Sequence, residues 1–209
     1  MATATSSLSI WITEPIFGAA NLLEAFSDKS SQITIAALLM LVDAISVAFI
    51  AILLFPILKQ KNEGLALGYV GMRIMEGLLF AAHVAAFLAV LSISKDYSVS
   101  SVHDVNNFQT IGHSLLMLAE ATFDIGLGIV FTISALILNY ILFRFALVPR
   151  WLSAWGFLGA LVTMTIVLLK YFDIKVTEAL DFIIGIQEMV FAIWLISKGL
   201  KVQEKKKLT

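Results

Sequence analysis

The run ITIAALLMLVDAISVAFIAILLFPILK, residues 33–59, outlasts the roughly 20 apolar residues that carry a helix across a bilayer, and only Asp43 interrupts it before Lys59. Runs of this kind recur along the chain, and a soluble domain has no interior large enough to hide them all. With 60% hydrophobic and 14% charged residues, against about 45–50% and about 25% in soluble domains, the composition agrees. The predicted fold is all-α, a polytopic transmembrane helical bundle forming a single membrane-embedded domain over residues 1–209.

Polar punctuation divides the chain into five full membrane helices and one shorter element, about six in all. The short element is SLSIWITEPIFGAANLLEAF, residues 7–26, broken by Glu14 and Pro15; it reads as a partial N-terminal helix, either the tail of a span or a segment lying in the interface. The second follows SDKSSQ, whose serines suit helix caps, and ends at Lys59 with Pro56 in its last turn. The third runs from Gly64 to Ser94. From Asn106 to Phe145 the sequence stays helix-compatible for about 40 residues, roughly 60 Å and about twice the hydrocarbon thickness, so one end must leave the bilayer or fold onto it. The more polar half, NNFQTIGHSLLMLAEATFD, is the half expected to leave, and Gly126 with Gly128 marks a kink. WLSAWGFLGALVTMTIVLLKYF and EALDFIIGIQEMVFAIWLISKGL complete the set, joined closely enough to be antiparallel neighbours.

Basic residues orient the bundle. One side holds Lys59, Lys61, Arg144, Arg150, Lys198, Lys201, Lys205, Lys206 and Lys207, and the other Lys29, Lys95, Lys170 and Lys175. Nine against four places the C-terminus, with its basic tail at residues 202–209, in the cytoplasm. Trp151, Trp155 and Trp194 then fall near the cytoplasmic helix ends, as interfacial anchors do.

The same composition removes several function classes. There is no cysteine, so disulfides, thiolate metal sites and cysteine nucleophiles are out. A net charge of −1 with no extended basic face argues against a nucleic-acid partner. The N-terminus lacks the basic region and cleavage site of a secretory signal peptide. No P-loop, G-x-S-x-G, G-x-G-x-x-G or H-E-x-x-H occurs. The partner that remains certain is the lipid bilayer.

Within that solvent the charges at depth carry the information. Counting inward from the cytoplasmic ends, Arg73 lies about 14 Å deep, Glu188 about 15 Å, Glu76 about 18 Å and Asp43 about 21 Å. They come from three helices and fall in one central layer. Facing lipid there would cost from about 2.5 to more than 10 kcal/mol, so such residues turn inward and find partners. Arg73 and Glu76 are three apart on one helix, close enough to touch. Three carboxylates around one guanidinium are expected to share a proton and titrate as a coupled set.

A second set, His83, His113, Glu120, Asp124 and Asp181, lies nearer the other surface. His113, Glu120 and Asp124 follow one helical stripe, and with His83 they are the residues a zinc or iron ion would need. The spacing lacks H-x-x-x-H or E-x-x-H, and a solvated helix face explains the same residues. Nothing sets His83 and His113 on either side of a porphyrin, so no metal and no cofactor is expected.

The strings ALGYVGMRIMEGLLF, LFRFALVPRWLSAWGFLGAL and IQEMVFAIWLISKG, in this order and at these intervals, resemble the uncharacterised prokaryotic membrane family catalogued as domain of unknown function 4386. The similarity runs from about Ile12 to Lys201. It implies about six membrane helices, an arginine and a glutamate at the positions of Arg73 and Glu76, a basic turn at Pro149, Arg150 and Trp151, and a Glu-Met pair at Glu188 and Met189. It also implies a bacterial or archaeal cytoplasmic membrane, and it carries no known activity. The resemblance implies a complete first membrane helix, whereas the start of this chain, ATATSSLSIWI, reads as entering that helix midway, with either a cut start or a short first helix expected.

Three functions are consistent with these residues. The first is a binding or transport protein whose Asp43, Arg73, Glu76 and Glu188 hold a proton or small polar ligand. The second is a non-catalytic accessory subunit whose buried charges only specify helix packing. The third is a metal-dependent intramembrane enzyme built on the outer His and acidic set.

Overall fold

The computed structural model describes residues 8–13, 16, 21–98, 105–174 and 182–201. Residues 8–13 are helical, followed by α1 (Leu22–Asp28), α2 (Ser30–Leu58), α3 (Glu63–Ser98) and α4 (Val105–Phe123). A π-helical stretch, Asp124–Val130, leads into α5 (Phe131–Arg144), and α6 (Arg150–Tyr171) and α7 (Phe182–Lys198) follow. No strand occurs among the described residues. Four rods, Ser30–Leu58, Glu63–Ser98, Val105–Arg144 and Arg150–Tyr171, are long and apolar enough to cross a membrane. The fifth expected span, α7, has 17 described residues, and 175–181 before it lie outside the described set. The basic tail, residues 202–209, also lies outside it.

Of the expected N-terminal element, residues 7–26, the structure describes 8–13, which are helical, Ile16 and 21–26, where Asn21 opens α1 by accepting the Glu24 N–H at 3.4 Å. Glu14 and Pro15 lie outside the described residues. Within SDKSSQ, α1 runs to Asp28 and α2 begins at Ser30. Lys29 alone makes the joint. Its N–H donates to Ala25 O and its carbonyl accepts from Ile33 N, both at 3.1 Å, so the joint loses little backbone hydrogen bonding. Gly126 and Gly128, where a kink is expected, fall within the π-helical stretch.

The chain divides into two compact units, one made of Met1–Phe49 and Ile74–Leu127, the other of Ile50–Arg73 and Gly128–Thr209. The core of the first packs Phe26, Ile33, Met40 and Ala44 with Phe80, Phe87 and Leu116. There α2 and α3 nearly touch: a Cβ on Gly77 would stand 2.6 Å from the Ala44 carbonyl oxygen. Between lipid-solvated helices the association comes from such backbone proximity and dispersion, since lipid tails are as apolar as leucine. The amphipathic α4 buries Gly112, Leu116 and Ala119 in this unit.

In the second unit α5 packs on α6 and α6 on α7. The α5–α6 turn ends α5 as a Schellman motif, with Leu147 N bonded to Leu142 O at 3.1 Å, Ala146 N to Phe143 O at 3.3 Å, and Ala146 at φ 49°. Leu147 and Val148 then fold inward against Leu58, Ala66, Tyr69, Leu142 and Leu152. The Lys201 N–H donates to Leu147 O at 2.9 Å. The ends of α2, α5 and α7 and the starts of α3 and α6 therefore gather at one end of this unit. Lys59, Lys61, Arg144, Arg150, Lys198 and Lys201 come with them, the alternation that antiparallel spans require.

Candidate functional site

Helical spacing places Tyr69 and Arg73, four apart, on one face of α3. The guanidinium carbon of Arg73 lies 5.7 Å from the Tyr69 ring centroid and 5.1 Å from that of Phe131 on α5. Nη2 reaches Glu188 Oε1 on α7 at 3.4 Å. The two side chains are 9% and 29% exposed. Two π faces favour the cation without competing for its N–H edge, which stays in the ring plane for hydrogen bonding. At 3.4 Å the ion pair is longer than the 2.7–2.9 Å of a tight charge-assisted bond, leaving both partners room to exchange one another.

The register of α7 is set by its neighbours. Gln187 Nε2 donates to Leu152 O on α6 at 3.3 Å, and Ile184 packs over Gly159, so residues 184 and 187 fix one side of the helix on α6. Glu188, next in sequence, is thereby delivered to Arg73. Nearby in this unit, a Cβ on Gly156 would run into the side-chain amide of Asn139, whose Cγ is 2.6 Å away. The α5–α6 approach depends on that glycine.

Asp43 and Glu76 belong to the other unit, and each is only 2% exposed. Each stands next in sequence to a residue of the α2–α3 crossing, Asp43 beside Ala44 and Glu76 beside Gly77, so both carboxylates arrive at the same level of that unit. Of the four residues expected to form one central layer, the structure thus brings Arg73 to Glu188 in one unit and Asp43 and Glu76 to one helix crossing in the other.

The outer set disperses. His83 Nδ1 lies 2.8 Å from Ala119 O, which also accepts the Thr122 hydroxyl at 2.9 Å, and its ring packs 5.6 Å from Phe87 and 5.4 Å from Phe123. A ring held so by a carbonyl and two phenyl groups serves packing. His113 and Glu120 are exposed on α4 and Asp124 is half-buried. Asp181 lies outside the described residues. Among the described residues no group of three His, Asp or Glu side chains gathers around a metal-sized space.

Sequence reasoning missed Tyr69, Phe131 and Gln187. The four-residue spacing from Tyr69 to Arg73 was a usable signal. Phe131 and Gln187 were not findable, because their roles depend on how α5 and α7 meet other helices.

The family model described as domain of unknown function (DUF4386) matches residues 1–199, which includes the N-terminal segment and every residue named above apart from Lys201 and the tail. No curated protein and no solved structure matches the chain. From Met1 through the helix that carries Glu188, this protein belongs to the DUF4386 family.

Proposed function

We propose that this protein binds or carries a proton or a small polar ligand across a prokaryotic cytoplasmic membrane, with Asp43, Arg73, Glu76 and Glu188 as the working residues and the C-terminus in the cytoplasm. The Arg73–Glu188 pair is the observation that carries this reading. A buried guanidinium, flanked by two aromatic rings and paired at 3.4 Å with a partly exposed acid, is an arrangement in which that acid can be exchanged. Ionisable groups within membrane helices are rare and mark ion and substrate routes. An anionic ligand would then take the place of the Glu188 carboxylate beside Arg73. Asp43 and Glu76, both nearly inaccessible, supply further proton-holding groups at one helix crossing.

The test is flux in liposomes loaded with a pH-sensitive dye. The native protein is expected to pass an imposed pH gradient, and Glu188→Gln and Glu76→Gln, which keep side-chain shape while abolishing titration, are expected to suppress that flux separately. Full flux through both variants, with helical content unchanged, would overturn the reading.

A further inference from the structure

We infer that the α5–α6 turn is a docking surface for the phosphate headgroup of an anionic phospholipid, gripped by Arg144, Arg150 and Lys201. This inference stands on observations separate from the Arg73 site.

Position comes first. Arg144 is the last residue of the apolar rod Val105–Arg144 and Arg150 the first of the rod Arg150–Tyr171, so both stand where an apolar helix gives way to polar surroundings. The turn between them sorts its side chains. Leu147 and Val148 are buried, whereas Phe143, Arg144, Phe145, Ala146, Arg150 and Trp151 are exposed. The bond from Lys201 N–H to Leu147 O brings a third exposed cation beside the same turn, with exposed Lys198 at the end of α7, three residues before it.

Charge comes second. No acidic residue occurs between Asp124 and Asp173, and from Phe182 to Gln203 the only one is Glu188, which engages Arg73. Glu63, at the start of α3, and Glu204, three residues after Lys201, are the acids nearest this end in sequence; Lys59 and Lys61 precede the first, and Lys205, Lys206 and Lys207 follow the second. The surface is therefore positive, and it lies where the headgroups of a bilayer would be.

Shape comes third. The guanidinium carbon of Arg150 lies 5.8 Å from the Phe143 ring and that of Arg144 lies 6.0 Å from the Phe145 ring. A guanidinium resting its face on a phenyl ring presents its N–H edge outward, the edge that grips phosphate oxygens two at a time. The N-terminus of α6, with its partial positive charge, opens at the same place. Exposed Phe143, Phe145 and Trp151, the last stacked on Trp155 at 6.5 Å, offer apolar surface alongside the cations. A free phosphate ion has nothing to lay against those rings, whereas a phospholipid has its glycerol and upper acyl chain. The combination fits the lipid.

The experiment is native mass spectrometry of the full chain released from mixed micelles holding equal phosphatidylglycerol and phosphatidylcholine, with inorganic phosphate added in a parallel sample. Retention of phosphatidylglycerol in preference, undiminished by inorganic phosphate, is expected. R144Q/R150Q is expected to lower that retention on the order of tenfold, R144K/R150K to lower it less, and Lys29→Gln to leave it unchanged. Equal retention of both lipids, displacement by inorganic phosphate, or undiminished retention by R144Q/R150Q would each overturn the inference. Circular dichroism on the same samples confirms that the double variant keeps its helices.

Discussion

The two units hold their buried charge in different ways. In the unit containing Arg73, a cation and an acid from different helices face each other, with rings from α3 and α5 under the guanidinium. In the unit containing Asp43 and Glu76, the acids sit where two backbones nearly meet, and its polar side chains often satisfy themselves on backbone carbonyls: Ser9 on Ala36 O at 3.0 Å, His83 on Ala119 O at 2.8 Å. The comparison teaches that backbone carbonyls satisfy short polar and amide side chains in both units, Gln187 on Leu152 O among them, while the long side chains of Arg73 and Glu188 reach one another from α3 and α7.

The largest effect should come from breaking the Arg73–Glu188 pair. Glu188→Leu removes the acid that meets the buried guanidinium at 3.4 Å and is expected to cost about 3 kcal/mol, measured as the denaturant midpoint in detergent micelles. Adding Arg73→Met to the same chain should recover most of that loss, because two apolar groups of similar volume replace the pair. A double variant as unstable as the single one would show that Glu188 stabilises this unit through something other than Arg73. Recovery of stability together with retained flux would instead favour the reading in which the charges only specify packing.

Next come two glycines on one helix. Gly77→Ala places a methyl 2.6 Å from the Ala44 carbonyl and is expected to destabilise by about 2 kcal/mol, because backbone has to move. Gly71→Ala, six residues earlier, meets nothing within 4 Å and is expected to stabilise by up to about 1 kcal/mol through helix propensity. Thermal unfolding of the two variants side by side checks the pair. Equal effects would mean that the close α2–α3 approach does not hold the first unit together.

A smaller effect tests the backbone-carbonyl side of the comparison. His83→Phe keeps the ring packing against Phe87 and Phe123 but removes the bond to Ala119 O, whose second donor Thr122 remains. A loss of about 1 kcal/mol is expected in the same unfolding measurement. A loss several times larger would give His83 more to do than fill a gap.

These particulars show what was legible beforehand. Apolar length and basic flanks located α2, α3, α5 and α6 to within a few residues, because in lipid the backbone must bond within its own helix and the side chains have only to be apolar. Gly126 and Gly128 likewise flagged the place where the regular α-helix gives way to the π-helical stretch. Lys29 as a one-residue joint was not, since whether a polar stretch unwinds depends on what α1 packs against. The candidate residues were legible through their cost at depth, and matching depth already set Arg73 level with Glu188; the direct contact between them was not legible, because it depends on the α6–α7 packing through Gln187 and Ile184.

The smallest effect concerns a feature confined, among the described residues, to the Arg73 unit: helix ends closed by residues with positive φ. Ala146 at 49°, Asp173 at 57° and Gly199 at 67° follow α5, α6 and α7 in turn. Glycine adopts this conformation without strain and aspartate tolerates it, but alanine pays about 1–2 kcal/mol for its Cβ. Ala146 is exposed, so its methyl group gains nothing from the core in return. Ala146→Gly relieves the strain and costs about 0.5–1 kcal/mol in extra freedom of the unfolded chain, leaving a net gain of about 0.5 kcal/mol. A melting temperature raised by a degree or two in detergent is the expected reading. A lowered one would mean that the methyl group is covered by lipid at the turn, which lipid-free and lipid-loaded micelles would separate.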